Sequence, residues 1–323
     1  MIDARTASAP GKVVLSGEYA VLDGAAAVVM AVTARAAVTI GPRAGDTCIV
    51  RSPGFAQKPG RFTVAPDGLR WLEGAGDFPL LDAAFAAASW DAATNLDIEL
   101  DTRAFTDRET GKKIGLGSSA ALMVALMTAL RASTDILPVA LSAHRAFQDG
   151  AGSGVDIAAA CKGGLLEYRM DGTKVHALAW PDGLVCRVIW TGVPADTRRK
   201  LARLAASSRA ASRDELAMAA DELAAAWRSG SSSAVLAGLP HYVDVLQRFD
   251  VDHDLGIFDA GHGRLAVLAR DAGVVYKPAG AGGGDVGVLF AGDGTALDRF
   301  IADHRLVALA CQLDPEGSRL ERL

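Results

Sequence analysis

The residues best suited to chemistry lie in the stretch 111–130, GKKIGLGSSAALMVALMTAL. Gly115 and Gly117 run into Ser118 and Ser119, and the apolar, alanine-rich run after them predicts a helix. Glycine lets a backbone approach a ligand closely, and a helix start presents N–H groups and a partial positive charge. Together these make an anion site, most often one for phosphate. One serine hydroxyl is placed to cap the helix and the other to reach the ligand or its metal. An ordinary capped helix after a flexible loop fits the same residues. Two named phosphate motifs do not fit. Gly115-x-Gly117-x-x-Ala120 has dinucleotide spacing, but the preceding TDRETGKK is polar where that motif needs a hydrophobic strand. A Walker A loop needs Lys then Ser or Thr after its last glycine, which is absent here.

Three further stretches carry candidate groups. In GAGSGVDIAAACKGGLLEYR (150–169), Asp156 opens another small-residue helix, where a carboxylate is also an ordinary cap or dipole partner. In SAPGKVVLSGEYAVLDG, Pro10 and Gly11 place Lys12 at the entry to a first strand, and Glu18 reads as a surface acid. In VVYKPAGAGGGDVGVLFAG (274–292), two strands flank a loop whose run Gly282-Gly283-Gly284 is longer than a hairpin turn requires.

These groups must be positioned by a mixed set of elements. VVLSG and AAVTI read as strands with DGAAAVVMAV a short apolar segment between them. Residues 41–80 read as hairpins and loops punctuated by Phe55, Phe62, Trp71 and Phe78. A helix at 81–90, a strand at 95–101 and a helix at 138–149 follow. From residue 184 a second lobe is expected, opening with the strand LVCRVIWTG, then helices over 196–229 and 233–250. A last helix and strand close the chain.

The chain has 323 residues, 50% apolar, with a formal net charge of −5. That is enough for a large core and two lobes, and it leaves no broad basic surface for nucleic acid. No apolar run reaches a membrane span, and MIDARTASAPGK lacks the basic and apolar regions of a signal peptide. Cys48, Cys161, Cys186 and Cys311 are scattered without metal spacing and read as buried thiols. A cytoplasmic protein is expected.

SAPGKVVLSGEYAVLDG, KKIGLGSSAALMVAL and KPAGAGGGDVGVLF, in that order and separation, resemble the three signature motifs of the GHMP kinases. The resemblance covers about residues 8–292 and is least specific near 200–250. It implies an α+β, two-lobed fold, residues 1–183 forming a ribosomal S5 domain 2-like ATP-binding lobe and 184–323 a ferredoxin-like lobe. It implies ATP with its phosphates over Gly115, Leu116, Gly117, Ser118, Ser119 and Ala120, with Mg2+ held by the Ser119 hydroxyl. It implies Asp156 as general base and Lys12 as its cationic partner. Ser153, Gly154, Gly280, Ala281, Gly282, Gly283 and Asp285 would surround the acceptor. Within the family the chain resembles the phosphomevalonate kinases. An acceptor that already bears a phosphate needs an added cation, for which Lys113 is placed, with Ser153 and residues around Thr197 and Arg198 behind it. Mevalonate kinases carry a magnesium-binding Glu eleven residues before the catalytic Asp; Arg145 stands there, and Gln148 is the substitute considered. Rival readings are mevalonate kinase, another GHMP small-molecule kinase, a mevalonate-diphosphate decarboxylase sharing the fold, and a non-catalytic nucleotide-binding sensor. The partner expected is a small-molecule alcohol or phosphate, with the chain a monomer or homodimer.

Overall fold

A computed structural model describes the chain apart from residues 1, 2, 54, 66, 67, 89, 91–93, 132–134, 151, 208, 209 and 323. The expected helix at 81–90, the stretch 150–169 and the helices of 196–229 therefore each contain positions outside the described residues.

In chain order the elements are β1 (Arg5–Ser16), β2 (Ala27–Pro42), β3 (Cys48–Arg51), β4 (Gly60–Ala65), β5 (Gly68–Glu73), α1 (Pro79–Ala88) and β6 (Leu96–Asp101). Then come α2 (Ser118–Arg131), α3 (Leu137–Phe147), α4 (Val155–Lys162), β7 (Leu165–Arg169), β8 (Lys174–Leu178) and β9 (Val185–Trp190). The rest are α5 (Thr197–Ala205), α6 (Ala210–Arg228), α7 (Ser232–His253), α8 (His262–Asp271), β10 (Val275–Pro278), β11 (Val286–Ala291), α9 (Gly294–His304), β12 (Val307–Ala308) and β13 (Arg319–Arg322). The architecture is α+β with two sheets.

The larger sheet runs β13-β1-β2-β6-β3-β4-β5, with β7 on β2 and β8 on β7. β2 is its spine. Ala27–Met30 pair with β7, and Ala37–Pro42 pair with β6. The apolar segment and the AAVTI strand read separately from sequence are thus one sixteen-residue strand, because its apolar half is covered on both faces and loses alternation. Lys12 is likewise inside β1, two residues past a register shift at Pro10/Gly11, and not at a strand entry. A Cβ at Gly11 would lie 2.6 Å from Leu116 O and from the Phe105 ring, so the close approach of the glycine loop requires this glycine.

α2 is buried from Ala120 to Leu130, as expected of a helix apolar on every face, and it packs on β1, β2, α1 and α3. Its amino end is thereby held rigidly at the sheet. Phe62, Trp71 and Phe78 pack together at centroid separations of 5.1 and 5.6 Å, whereas Phe55 is 66% exposed. Of the cysteines only Cys48 is buried; the other three are partly exposed free thiols.

The smaller sheet runs β10-β11-β9-β12, all neighbours antiparallel. Its chain order, strand–helices–strand–strand–helix–strand, is that of a ferredoxin-like unit. β11 shows the period-two logic of a sheet covered on both faces. Val286, Val288 and Phe290 join the main core, and Leu289 and Ala291 face a second cluster with Leu297 and Phe300 of α9. β13 returns to the first sheet beside β1, so the chain's last strand is shared with its first.

Candidate active site

The three motifs and the Asp156 helix open onto one cavity of about 350 Å³. Residues as far apart in the chain as Lys12 and Asp285 meet on its wall, among them Gly115, Gly117, Ser118, Ser119, Ser153, Asp156, Gly280 and Ala281. Leu116, Ala120, Gly154, Gly282 and Gly283 stand behind the wall. Leu116 is in the core and its carbonyl accepts from Lys12 N–H at 2.8 Å. The Gly283 N–H donates to Ile257 O at 2.7 Å, and a Cβ at Gly282 would lie 2.5 Å from that oxygen. These two glycines pack the loop against residues 256–257.

The glycine loop leads directly into α2: Gly117 O accepts from Ala121 N–H at 3.1 Å, so the helix start faces the cavity. Ser119 Oγ lies 3.3 Å from Nε2 of His144, which is buried on α3 and whose pKa is lowered by that burial. The Lys12 side chain crosses this loop. A Cβ at Gly117 would be 3.2 Å from its Cε and Cγ, and one at Gly280 would be 3.6 Å from its Nζ. The lysine therefore spans from the glycine loop to the third motif.

Asp156 sits half-buried in the first turn of α4, with Oδ1 accepting from Ile157 N–H at 3.0 Å. The turn before it is fixed by Tyr168, whose hydroxyl donates to Ser153 O at 2.7 Å. Gln148 also lines the cavity. Asp285 closes the far side. Its Oδ1 accepts from Ala195 N–H at 3.1 Å and its carbonyl accepts from Thr191 N–H at 2.9 Å. Burial pushes its carboxyl pKa up, against the Ala195 N–H, Lys12 and Lys113. The two adjacent lysines divide. Lys112 Nζ donates to Gly192 O at 3.0 Å, whereas Lys113 lines the cavity together with Ala195, Thr197 and Arg198.

Local sequence reading missed what braces this wall. Glu18, read as a surface acid, is 4% exposed and paired with the buried Lys277. Tyr242 of α7 donates to Glu18 Oε2 at 2.8 Å, and Tyr19 donates to Ala281 O at 2.7 Å. The only sequence signal for these was Lys277 itself, a charge inside an otherwise apolar strand. Cys161 is not a nucleophile candidate, since burial pushes its thiol up to about 12. Among the described residues no three or more His, Cys, Asp or Glu side chains converge as a metal cluster. No helix is long and apolar enough to cross a membrane among the described residues.

A helix-start anion site facing a carboxylate and two lysines inside a two-sheet α+β fold defines a phosphotransferase. Residues 82–164 match the GHMP kinases N terminal domain, the family whose motifs the chain resembles. The chain is 28% identical to a phosphomevalonate kinase of a Streptomyces species, over 87% of this chain and 88% of that one. It is 32% identical to a mevalonate kinase of Aeropyrum pernix over 60% of each chain. A solved Streptococcus pneumoniae phosphomevalonate kinase, in complex with phosphomevalonate and AMPPNP, shares the fold with a TM-score of 0.79 at 19% identity, covering 97% of this chain and all of that one.

Proposed function

We propose that this chain transfers the γ-phosphate of ATP to 5-phosphomevalonate, giving ADP and 5-diphosphomevalonate. The observation that carries the reading is the convergence of Lys12, Gly115–Ser119, Asp156 and Asp285 on one cavity that also presents Lys113. The likeness to a phosphomevalonate kinase over 87% of the chain supports the choice of acceptor.

The roles follow from the chemistry. In the transfer, the bond from the γ-phosphorus to the ADP oxygen breaks and a bond to an acceptor phosphate oxygen forms, the two oxygens in line. Donor and acceptor are both anionic, so their approach is opposed by repulsion. Lys12, Lys113 and the amino end of α2 offset that charge where it develops. A phosphate monoester has its second pKa near about 6, so near neutral pH most of the acceptor is already deprotonated. Asp156 accepts the proton of the remaining fraction and orients the attacking oxygen. Lys12, lying between the glycine loop and Gly280, balances the Asp156 carboxylate.

Magnesium fits the donor set here: the Ser119 hydroxyl on the cavity wall would hold it together with the nucleotide phosphates. Magnesium commonly uses one or two protein oxygens with substrate phosphates and water, so a larger acidic cluster is not required. Bound with the nucleotide, it supplies charge neutralisation at the phosphates.

A second reading, phosphorylation of the hydroxyl of mevalonate, is favoured by the 32% identity to a mevalonate kinase. The two readings differ in the product. Phosphorus NMR of a reaction with MgATP and 5-phosphomevalonate is expected to show two coupled diphosphate resonances in the product; an unchanged monoester signal would refute the proposed acceptor.

A further inference from the structure

One wall of the cavity carries an ion pair, Glu18 on the lining and Lys277 buried beneath it, to which the transfer assigns no role. The Lys277 and Glu18 side chains are 0% and 1% exposed, and Lys277 Nζ donates to Glu18 Oε1 and to Pro278 O, the latter at 2.6 Å. Glu18 Oε2 accepts from Tyr242 Oη at 2.8 Å, and Tyr242 Oη accepts from Gly17 N–H at 2.8 Å. One chain of hydrogen bonds thus joins the third motif, the first motif and α7. The next residue extends it, as Tyr19 donates to Ala281 O and its ring packs 5.7 Å from Phe249, two turns along α7 from Tyr242.

Stability alone does not call for this arrangement, because a buried ion pair is often no better than apolar packing of the same volume. The turn it holds is also strained. Tyr19 has φ +61°, and Gly17 has φ +88° with space so tight that a Cβ would lie 2.4 Å from Ala26 O. Strain kept in place by a dense set of partners belongs to sites where geometry matters. Both ends of the network form cavity wall: Glu18 and Tyr19 on one side, Gly280 and Ala281 on the other, with Lys12 Nζ beside Gly280.

The geometry points to Lys277, Glu18 and Tyr242 as positioning residues that set the spacing of the first and third motifs across the cavity, and with it the placement of Lys12. This rests on the kinase reading but not on the identity of the acceptor.

The test is a double-mutant comparison. Glu18→Gln and Lys277→Met each leave an unpaired buried partner and are expected to lower thermal stability; the double variant is expected to regain most of it. If the pair positions the motifs, the double variant still shows kcat reduced by about 100-fold with the KM for ATP within about threefold of the parent. A double variant with both stability and kcat restored would reduce the pair to packing and overturn the inference. Tyr242→Phe, which keeps the ring and the ion pair, provides the second arm. Because Gly17 N–H and Glu18 Oε2 lose their shared partner, it is expected to lower the melting temperature and to speed hydrogen exchange in residues 10–22 and 279–286 more than elsewhere in the chain, with and without AMPPNP; exchange there unchanged, or raised no more than elsewhere, would equally overturn the inference. Should the parent fail to turn over 5-phosphomevalonate, the proposed acceptor is refuted and the exchange measurement still decides the positioning role.

Discussion

Replacing Gly115 by alanine puts a methyl group where Asp285 already stands. The new Cβ would lie 2.3 Å from both Cβ and Cγ of Asp285, and Gly115 has φ +94°, a backbone conformation L-residues rarely adopt. The backbone term costs about 1–2 kcal/mol. Relieving the clash moves Asp285 and loses its 3.1 Å bond from Ala195 N–H, about 1 kcal/mol more. A total of roughly 2–3 kcal/mol is expected. Gly111→Ala is the control. It too has positive φ, +69°, but nothing lies within 4 Å of its would-be Cβ, so only the backbone term of about 1–2 kcal/mol applies. Urea denaturation measures both. Steady-state kinetics should show kcat/KM for ATP falling about 100-fold in Gly115→Ala and changing little in Gly111→Ala. Equal destabilisation and equal kinetics for the two variants would refute the claim that the glycine loop is seated on Asp285.

Other expectations follow from the same wall. Asp156→Ala should lower kcat by about 100-fold or more while calorimetric ADP affinity stays near the parent's; unchanged turnover would remove the carboxylate from the mechanism. Lys113→Ala should raise the KM for a phosphorylated acceptor and leave the KM for ATP in place, so an ATP-selective defect would contradict its assignment. Ser119→Ala should raise the magnesium concentration needed for half-maximal rate; a defect confined to the acceptor would count against it as a ligand. Burial of His262, bonded through Nδ1 to Tyr276 Oη and through Nε2 to Gly284 O, lowers its pKa to about 4 from 6.5. The unfolded chain therefore binds that proton first as pH falls. The stabilisation is whole above about 6.5 and is lost progressively down to about 4, on the order of 3 kcal/mol. Urea midpoints between pH 7.5 and 4 should fall less steeply in His262→Asn than in the parent, and parallel curves would show that His262 does not carry this term.

The parts of the fold and site that could be read from sequence are those written in neighbouring residues. The glycine turn into α2, the Gly154–Asp156 helix start and the β10–loop–β11 unit each carry their own backbone chemistry, and each forms where expected. Lys12 shows the limit. Pro10-Gly11 looked like a strand boundary, but β1 continues through them because the register shift absorbs the irregularity and Gly11 lets Phe105 and Leu116 approach. Glu18 and Tyr242 show it more strongly. Their partners are 259 and 224 residues away, and nothing local separates a surface acid from one that meets a buried lysine. For the same reason α7, in the least specific part of the chain by motif, supplies the hydroxyl that braces the first motif.

The central claim is tested most directly by ADP release with MgATP against 5-phosphomevalonate, mevalonate, galactose and homoserine in parallel. Turnover with 5-phosphomevalonate alone is the expected result. Turnover with mevalonate and none with its phosphate would contradict the assigned acceptor and the role given to Lys113.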